Sequence, residues 1–169
     1  MPKTNPSPTL RLGILRHSLA AKRDIKEYPD DDARPLIPKG RKLAKKVAKS
    51  FSQFGFKPNR ILTSPLPRAA ETAAIIAKGI DLQTPKILSM PVLRYDTDPH
   101  LALRYLASLK LRGEVLIVGH EPWLGEFLSL LVFGKVGPGL PFRKCGFALS
   151  ACDVLAAGRG QLIAFLPPC

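Results

Sequence analysis

Cysteine and histidine are both scarce in this chain, with three of each among 169 residues. Cys145, Cys152 and Cys169 form an odd set without CxxC spacing, which argues against a disulfide framework and a thiolate metal site. They read as buried or incidental thiols. Long apolar runs are missing too. No stretch approaches the roughly 18 uninterrupted apolar residues of a membrane span, so a soluble protein is expected. Residues 1–8 lack the apolar core of a secretory signal and read as flexible, which leaves the cytoplasm as the expected compartment. Acidic residues are few, 13 Asp and Glu against 26 Lys and Arg, for a net charge of +13. Such a surface attracts anions, among them phosphorylated proteins, phosphometabolites and nucleic acid. A dedicated nucleic-acid binder usually adds exposed aromatics or a reading motif to its basic patch, and neither is found, so nucleic acid is not an expected partner.

What is present suits one domain over residues 1–169, with 46% hydrophobic residues to fill its core. Leu10–Leu15 reads as a buried strand ending at Arg16-His17, and the polar stretch from Ala20 to Lys39, with Asp30-Asp31-Asp32, reads as a surface loop. From Pro38 a helix places Leu43, Val47, Phe51 and Phe54 on one side and Lys42, Lys45, Lys46 and Lys49 on another. That lysine stripe is a solvated face or a docking surface for an acidic partner. Asn59–Thr63 reads as a strand. Ser64-Pro65-Leu66-Pro67 then opens a helix with Leu66, Ala69, Ala70, Ala73 and Ala77 inward and Arg68 in its first turn. Further strands are expected at Lys86–Leu93, Glu114–Val118, Gly146–Val154 and Gln161–Leu166. Between them, one helix is capped by Thr97 or Asp98 and runs to about Leu111, and another starts at Pro122 with Leu124, Phe127, Leu128 and Leu131 on one face. Alternating strands and helices with a closing hairpin predict an α/β sandwich with a mainly parallel sheet.

Two of the three histidines, His17 and His120, follow apolar strands directly. The carboxyl ends of strands are where open α/β sheets bind ligands. Arg16 precedes His17, and Arg68 stands at a helix N-terminus, so guanidinium forks and helix N–H groups are both available for phosphate oxygens. Taken alone, Arg68 would be explained first by an ion pair with Glu71 on its own helix.

Leu15-Arg16-His17-Ser18, Ser64-Pro65-Leu66-Pro67-Arg68-Ala69-Ala70-Glu71-Thr72-Ala73 and Gly119-His120-Glu121-Pro122 resemble, in order and spacing, the three signature blocks of the histidine phosphatase superfamily. Arg34-Pro35-Leu36 with Gly40 and the closing Leu166-Pro167-Pro168 look most like its SixA-type phosphohistidine phosphatases. The resemblance spans Leu10 to Pro168. It implies a phosphoglycerate mutase-like three-layer α/β/α sandwich with a minimal cap. It also implies that His17 is a nucleophile forming a covalent phosphohistidine, that Arg16, Arg68 and His120 clamp the phosphoryl group, and that neither metal nor cofactor is needed. Ser18 replaces the usual glycine or alanine, and Ile37 a frequent threonine; the Ser18 hydroxyl is expected to be tolerated and able to donate a hydrogen bond to phosphate.

Many superfamily members carry a mid-chain glutamate as general acid. Here Val92–His100 has none, leaving Asp96, Asp98, His100 and Glu121 as candidate donors. An imidazole leaving group demands less of an acid than an alkoxide does, which favours phosphohistidine as substrate. The expected partner is a phosphorylated protein, such as a phosphotransfer domain. The alternatives are a small phosphometabolite or polyphosphate, and a non-catalytic module binding phosphate or nucleic acid.

Overall fold

The computed structural model describes residues 9–80, 86–137 and 139–168. Cys169 and the flexibility expected of residues 1–8 lie outside the described residues. In chain order the elements are β1 (Leu10–Arg16), α1 (Pro38–Phe51), β2 (Arg60–Thr63), α2 (Pro67–Gly79), β3 (Lys86–Ser89), α3 (Pro99–Ser108), β4 (Gly113–Gly119), α4 (Trp123–Phe133), β5 (Phe147–Cys152) and β6 (Gln161–Leu166). The strands form one sheet in the order β3-β2-β4-β1-β5-β6. The first four run parallel, and β5 is antiparallel to both of its neighbours.

β4 lies at the centre and is apolar on both faces, as a strand covered on both sides must be. Val115 and Ile117 join Leu10, Leu12 and Ile14 beneath α3 and α4, whereas Leu116 and Val118 join Leu15 and Ile61 beneath α1 and α2. This is the expected three-layer sandwich. On the α1/α2 side, the rings of Phe51, Phe56 and Phe147 meet with centroids 4.9–5.6 Å apart. Gly13 makes room for them, because a Cβ there would come within 2.6 Å of the Phe56 ring.

Several element ends differ from the sequence expectation, each for a local reason. β3 stops at Ser89 rather than Leu93, because Pro91 cannot donate to a ladder and opens a 3-10 turn instead. α1 ends at Phe51, so helical periodicity no longer places Phe54. Phe54 falls in a turn closed by Gly55 at φ 58° and is exposed, and the buried stripe is Gly40, Ala44, Val47, Ala48 and Phe51. On α2, Ala70 is only half-buried and Thr72 takes an inward place. α3 is capped by Asp98, as expected, but stops at Ser108, short of Leu111. Lys42, Lys45, Lys46 and Lys49 are all exposed. Among the described residues no helix is long and apolar enough to cross a membrane.

Candidate active site

Strand register brings the two histidines together. β1 and β4 pair in parallel with Arg16 opposite Gly119, so the next residue on each strand is a histidine. The His17 N–H donates to the Gly119 carbonyl at 2.9 Å, and the two imidazole centroids lie 5.1 Å apart. β2 is in register with the far side of β4, so it ends at the same level, delivers Ser64 and turns into α2 with Arg68 in the first turn. β5 runs the other way, so it is its start that reaches this pole. The Cys145 N–H donates to the Arg16 carbonyl, which sets Lys144 beside the pocket.

His17 is 3% exposed. Its Nδ1 lies 2.7 Å from the Ser18 carbonyl, which can only accept, so Nδ1 carries the proton. Nε2 therefore holds the lone pair, and the Lys144 ammonium donates to it at 3.2 Å. Burial first, then the charges of Lys144, the neighbouring His120 and Arg68, lower the His17 pKa to about 2, so the imidazole is neutral. Lys144 itself is pushed down to about 8 by burial and by Arg16, Arg34 and Arg68.

His120 is 2% exposed, and its Nε2 lies 2.8 Å from the Ser64 hydroxyl. That hydroxyl accepts from the Leu66 N–H at 3.4 Å, and His120 Nε2 is the acceptor within reach of its own proton, an arrangement that puts the imidazole proton on Nδ1. Burial and Arg68 hold the His120 pKa down at about 3. Arg16 donates through Nη1 to the Phe142 carbonyl at 2.6 Å, and Arg68 through Nη1 to the carbonyls of Asp31 and Asp32. Burial lowers both guanidinium pKa values, so each cation sits where an anion would relieve it. Among the described residues, Arg16 Nε, Arg68 Nε and His120 Nδ1 are buried donors without a hydrogen-bond partner, a condition that folded proteins rarely tolerate without reason.

The structure thus gathers His17, His120, Arg16 and Arg68. It does not give Ser18 the expected role. The Ser18 hydroxyl donates to the Gly40 carbonyl at 2.7 Å and its N–H donates to the Thr72 hydroxyl at 3.1 Å, so both donors are committed within the protein. Gly40 permits this approach, since a Cβ there would lie 2.1 Å from the Leu19 carbonyl oxygen. Glu71 does not pair with Arg68. It accepts from Arg41 and from the Leu36 N–H instead.

Of the four candidate acids, Asp98 caps α3, His100 is exposed in its first turn, and Asp96 is paired with Arg94, whose hydrogen bonds lower its pKa. Burial raises the pKa of Glu121, but that carboxylate accepts from the Gly125 N–H in the first turn of α4. No group of three or more His, Cys, Asp or Glu side chains placed to hold a metal occurs among the described residues.

Sequence reasoning missed Lys144 and the acidic turn. Asp31 and Asp32, read as surface loop, form a 3-10 turn against Arg68. Asp32 also accepts from Arg94 at 2.8 Å and from the Tyr95 hydroxyl at 3.0 Å, and the Tyr95 ring stands edge-on to His120 at 5.9 Å. No local pattern marks Lys144, because its approach to His17 comes from β5 pairing antiparallel to β1.

Comparison with known proteins agrees with this fold. Residues 12–89 match the family model described as the histidine phosphatase superfamily, branch 1. An uncharacterised protein from Picosynechococcus is 34% identical over 137 residues, covering 81% of this chain and 82% of that protein. The mitochondrial serine/threonine-protein phosphatase Pgam5 of Drosophila yakuba is 38% identical over 72 residues, which are 40% of this chain and only 25% of Pgam5. The solved structure of the protein histidine phosphatase SixA complexed with tungstate superposes with a TM-score of 0.80 at 25% identity, over 94% of this chain and 97% of that one. Its sheet, its histidine pair and these matches agree: the chain belongs to the histidine phosphatase superfamily and is of the SixA type.

Proposed function

We propose that this phosphatase hydrolyses phosphohistidine on a protein substrate through a covalent phosphohistidine at His17. The observation that carries the reading is a neutral imidazole with its lone pair fixed on Nε2, set among buried donors that lack partners. A phosphoryl group seated there meets Arg16, Arg68 and His120 through its equatorial oxygens, where transition-state charge resides. The His17 lone pair attacks phosphorus in line, the substrate P–N bond breaks, and its electron pair leaves with the substrate ring, whose other nitrogen carries a proton so that it departs as neutral imidazole. Water then attacks the same phosphorus, the bond to His17 breaks, and inorganic phosphate and free His17 are regenerated.

Three features of the leaving-group side support phosphohistidine over an ester. Asp31, Asp32 and Asp96 are all engaged by arginines, Glu121 is engaged at the α4 N-terminus, and an imidazole leaves without needing a strong acid. The minimal cap that the SixA resemblance implies would let a cytoplasmic protein domain reach the site. SixA, described as a protein histidine phosphatase and solved with an oxyanion, supports the same substrate class. The similarity to Pgam5 favours a second reading, a phosphatase of serine or threonine phosphoesters.

Phosphate release from a phosphohistidine peptide and from a phosphoserine peptide, measured side by side for wild-type and His17→Ala, decides between them. The first reading expects turnover of phosphohistidine at least about tenfold above the ester and a loss of roughly 1,000-fold or more in the variant. Equal or faster ester hydrolysis selects the second. Undiminished activity in His17→Ala rejects both.

A further inference from the structure

We propose that Lys144 is a further catalytic residue of this site, an ammonium that caps the His17 lone pair at rest and transfers to an equatorial phosphoryl oxygen when substrate binds. The inference rests on the reading of His17 as nucleophile. Its physical basis is that the Nε2 lone pair can serve only one partner at a time, and Lys144 Nζ occupies that partner position now, 3.2 Å away. In an in-line attack the phosphorus must come to this same direction. The ammonium therefore has to move aside, and its four-carbon stem lets it do so without moving the backbone.

Its destination follows from geometry. The leaving atom lies on the far side of phosphorus from Nε2, out of reach of a group that starts beside Nε2. The equatorial oxygens are the nearest acceptors. Lys144 keeps its proton throughout and makes or breaks no covalent bond. It trades a neutral acceptor for an anionic one, and charge-assisted hydrogen bonds are about twice as strong as neutral ones, so the exchange favours the bound state.

The surroundings of Lys144 fit a group held in readiness for an anion. Arg16, Arg34 and Arg68 crowd it, Asp31 partly offsets them, and both histidines feel its charge. While the site is empty, this repulsion and half-burial make the proton easier to lose, with a pKa of about 8. The cap adds to burial in keeping His17 neutral, since a proton on Nε2 would face the ammonium directly.

The test compares wild-type, Lys144→Met and Lys144→Arg in three measurements. These are kcat/KM for the phosphohistidine peptide from pH 6 to 10, competition by tungstate, and histidine ring 15N NMR of the ligand-free protein against pH. Wild-type kcat/KM is expected to fall as pH rises through about 8, as Lys144 loses its proton. Lys144→Met should lose roughly 10- to 100-fold in kcat/KM at pH 7, bind tungstate correspondingly more weakly, and lose that alkaline limb. Lys144→Arg should recover much of the loss and move the limb beyond the measured range, because an arginine stays charged. In the ring spectra, Lys144→Met should let His17 take up a proton at higher pH than wild-type. Kinetics within about twofold of wild-type, or an unchanged limb in Lys144→Met, overturns the proposal. So does a His17 titration that does not move. The NMR and tungstate measurements need no turnover, so a protein inert toward every phosphoryl donor would reject the phosphatase reading while still deciding whether Lys144 caps His17 and holds the oxyanion.

Discussion

Buried polar groups in the body of the sandwich and those at the carboxyl ends of its parallel strands are treated differently. Inside, Ser50 donates to Val47, Ser129 to Lys135 and Ser150 to Gln161, each with a carbonyl acceptor at 2.8–3.2 Å. At the strand ends, Arg16, Arg68 and His120 each bury a nitrogen that has no hydrogen-bond partner among the described residues. Each unmet donor costs about 1–3 kcal/mol, and all three lie around one neutral imidazole. The difference teaches that core packing stabilises the fold while the pole is left under-satisfied, in a form that a tetrahedral oxyanion would complete.

The largest test breaks the comparison from the core side. Phe51 is buried in the three-ring cluster on α1 and takes part in no hydrogen bond of the site. Phe51→Ala should cost about 3–5 kcal/mol of unfolding free energy, read from the urea midpoint, while kcat and KM of the folded fraction stay near wild-type. A selective loss of activity without loss of stability would contradict the separation.

Arg68→Met tests the pole. Removing the clamp should lower kcat/KM by roughly 100- to 1,000-fold. Stability should fall by only about 1–3 kcal/mol, through the Asp31 and Asp32 carbonyls that lose the Arg68 donor, because the carboxylates are not stranded: Asp31 keeps Arg23 and Arg34, and Asp32 keeps Arg94 and Tyr95. Matched kinetics and urea unfolding check both halves. Had Arg68 been paired with Glu71, as the helix spacing allowed, the same substitution would have left a carboxylate exposed on α2.

That contrast marks what the sequence could and could not reveal. The histidine pair was legible because β1 and β4 are apolar runs that each end at a histidine, and parallel register then makes neighbours of residues that share a strand level. Lys144 was not legible. Its nearness to His17 depends on β5 running antiparallel to β1, a tertiary fact that no local pattern encodes. Asp31 and Asp32 carried the signal of a solvated loop, since a polar turn looks the same whether it faces water or the four guanidinium groups of Arg23, Arg34, Arg68 and Arg94. The strand after α2 was overextended because apolar character continues through Val92 and Leu93 after Pro91 has ended the ladder.

Proton uptake offers a smaller effect with a definite sign. His17 and His120 have folded pKa values of about 2 and about 3 against 6.5 for an unperturbed histidine. The unfolded chain therefore binds protons that the native chain refuses. Stability is fully present above pH 6.5 and is lost as pH falls toward the folded values, by up to about 1.4 kcal/mol per pH unit for each histidine. Asp31, whose pKa is depressed by its bonds to Arg34 and Arg23, adds a further loss in the same direction only below the ordinary carboxylate range. Urea unfolding at pH 7, 6 and 5 should show His120→Gln losing less stability with acid than wild-type, and equal slopes would mean that His120 is not buried neutral.

Ser18 gives the smallest effect and the sharpest boundary between the two regions. By sequence it belongs to the pole, adjoining His17, where its hydroxyl replaces the family's usual glycine or alanine and is expected to be able to donate to phosphate. By bonding it belongs to the core, because its hydroxyl proton goes to the Gly40 carbonyl and its N–H to Thr72. Ser18→Ala should therefore cost about 0.5–1.5 kcal/mol of stability through the lost bond to Gly40, with kcat/KM changed by less than about threefold. The backbone carbonyl of residue 18, which fixes the His17 tautomer, survives the substitution. A large kinetic loss with unchanged stability would instead return Ser18 to the phosphate pocket and require its hydroxyl to leave Gly40 when substrate binds.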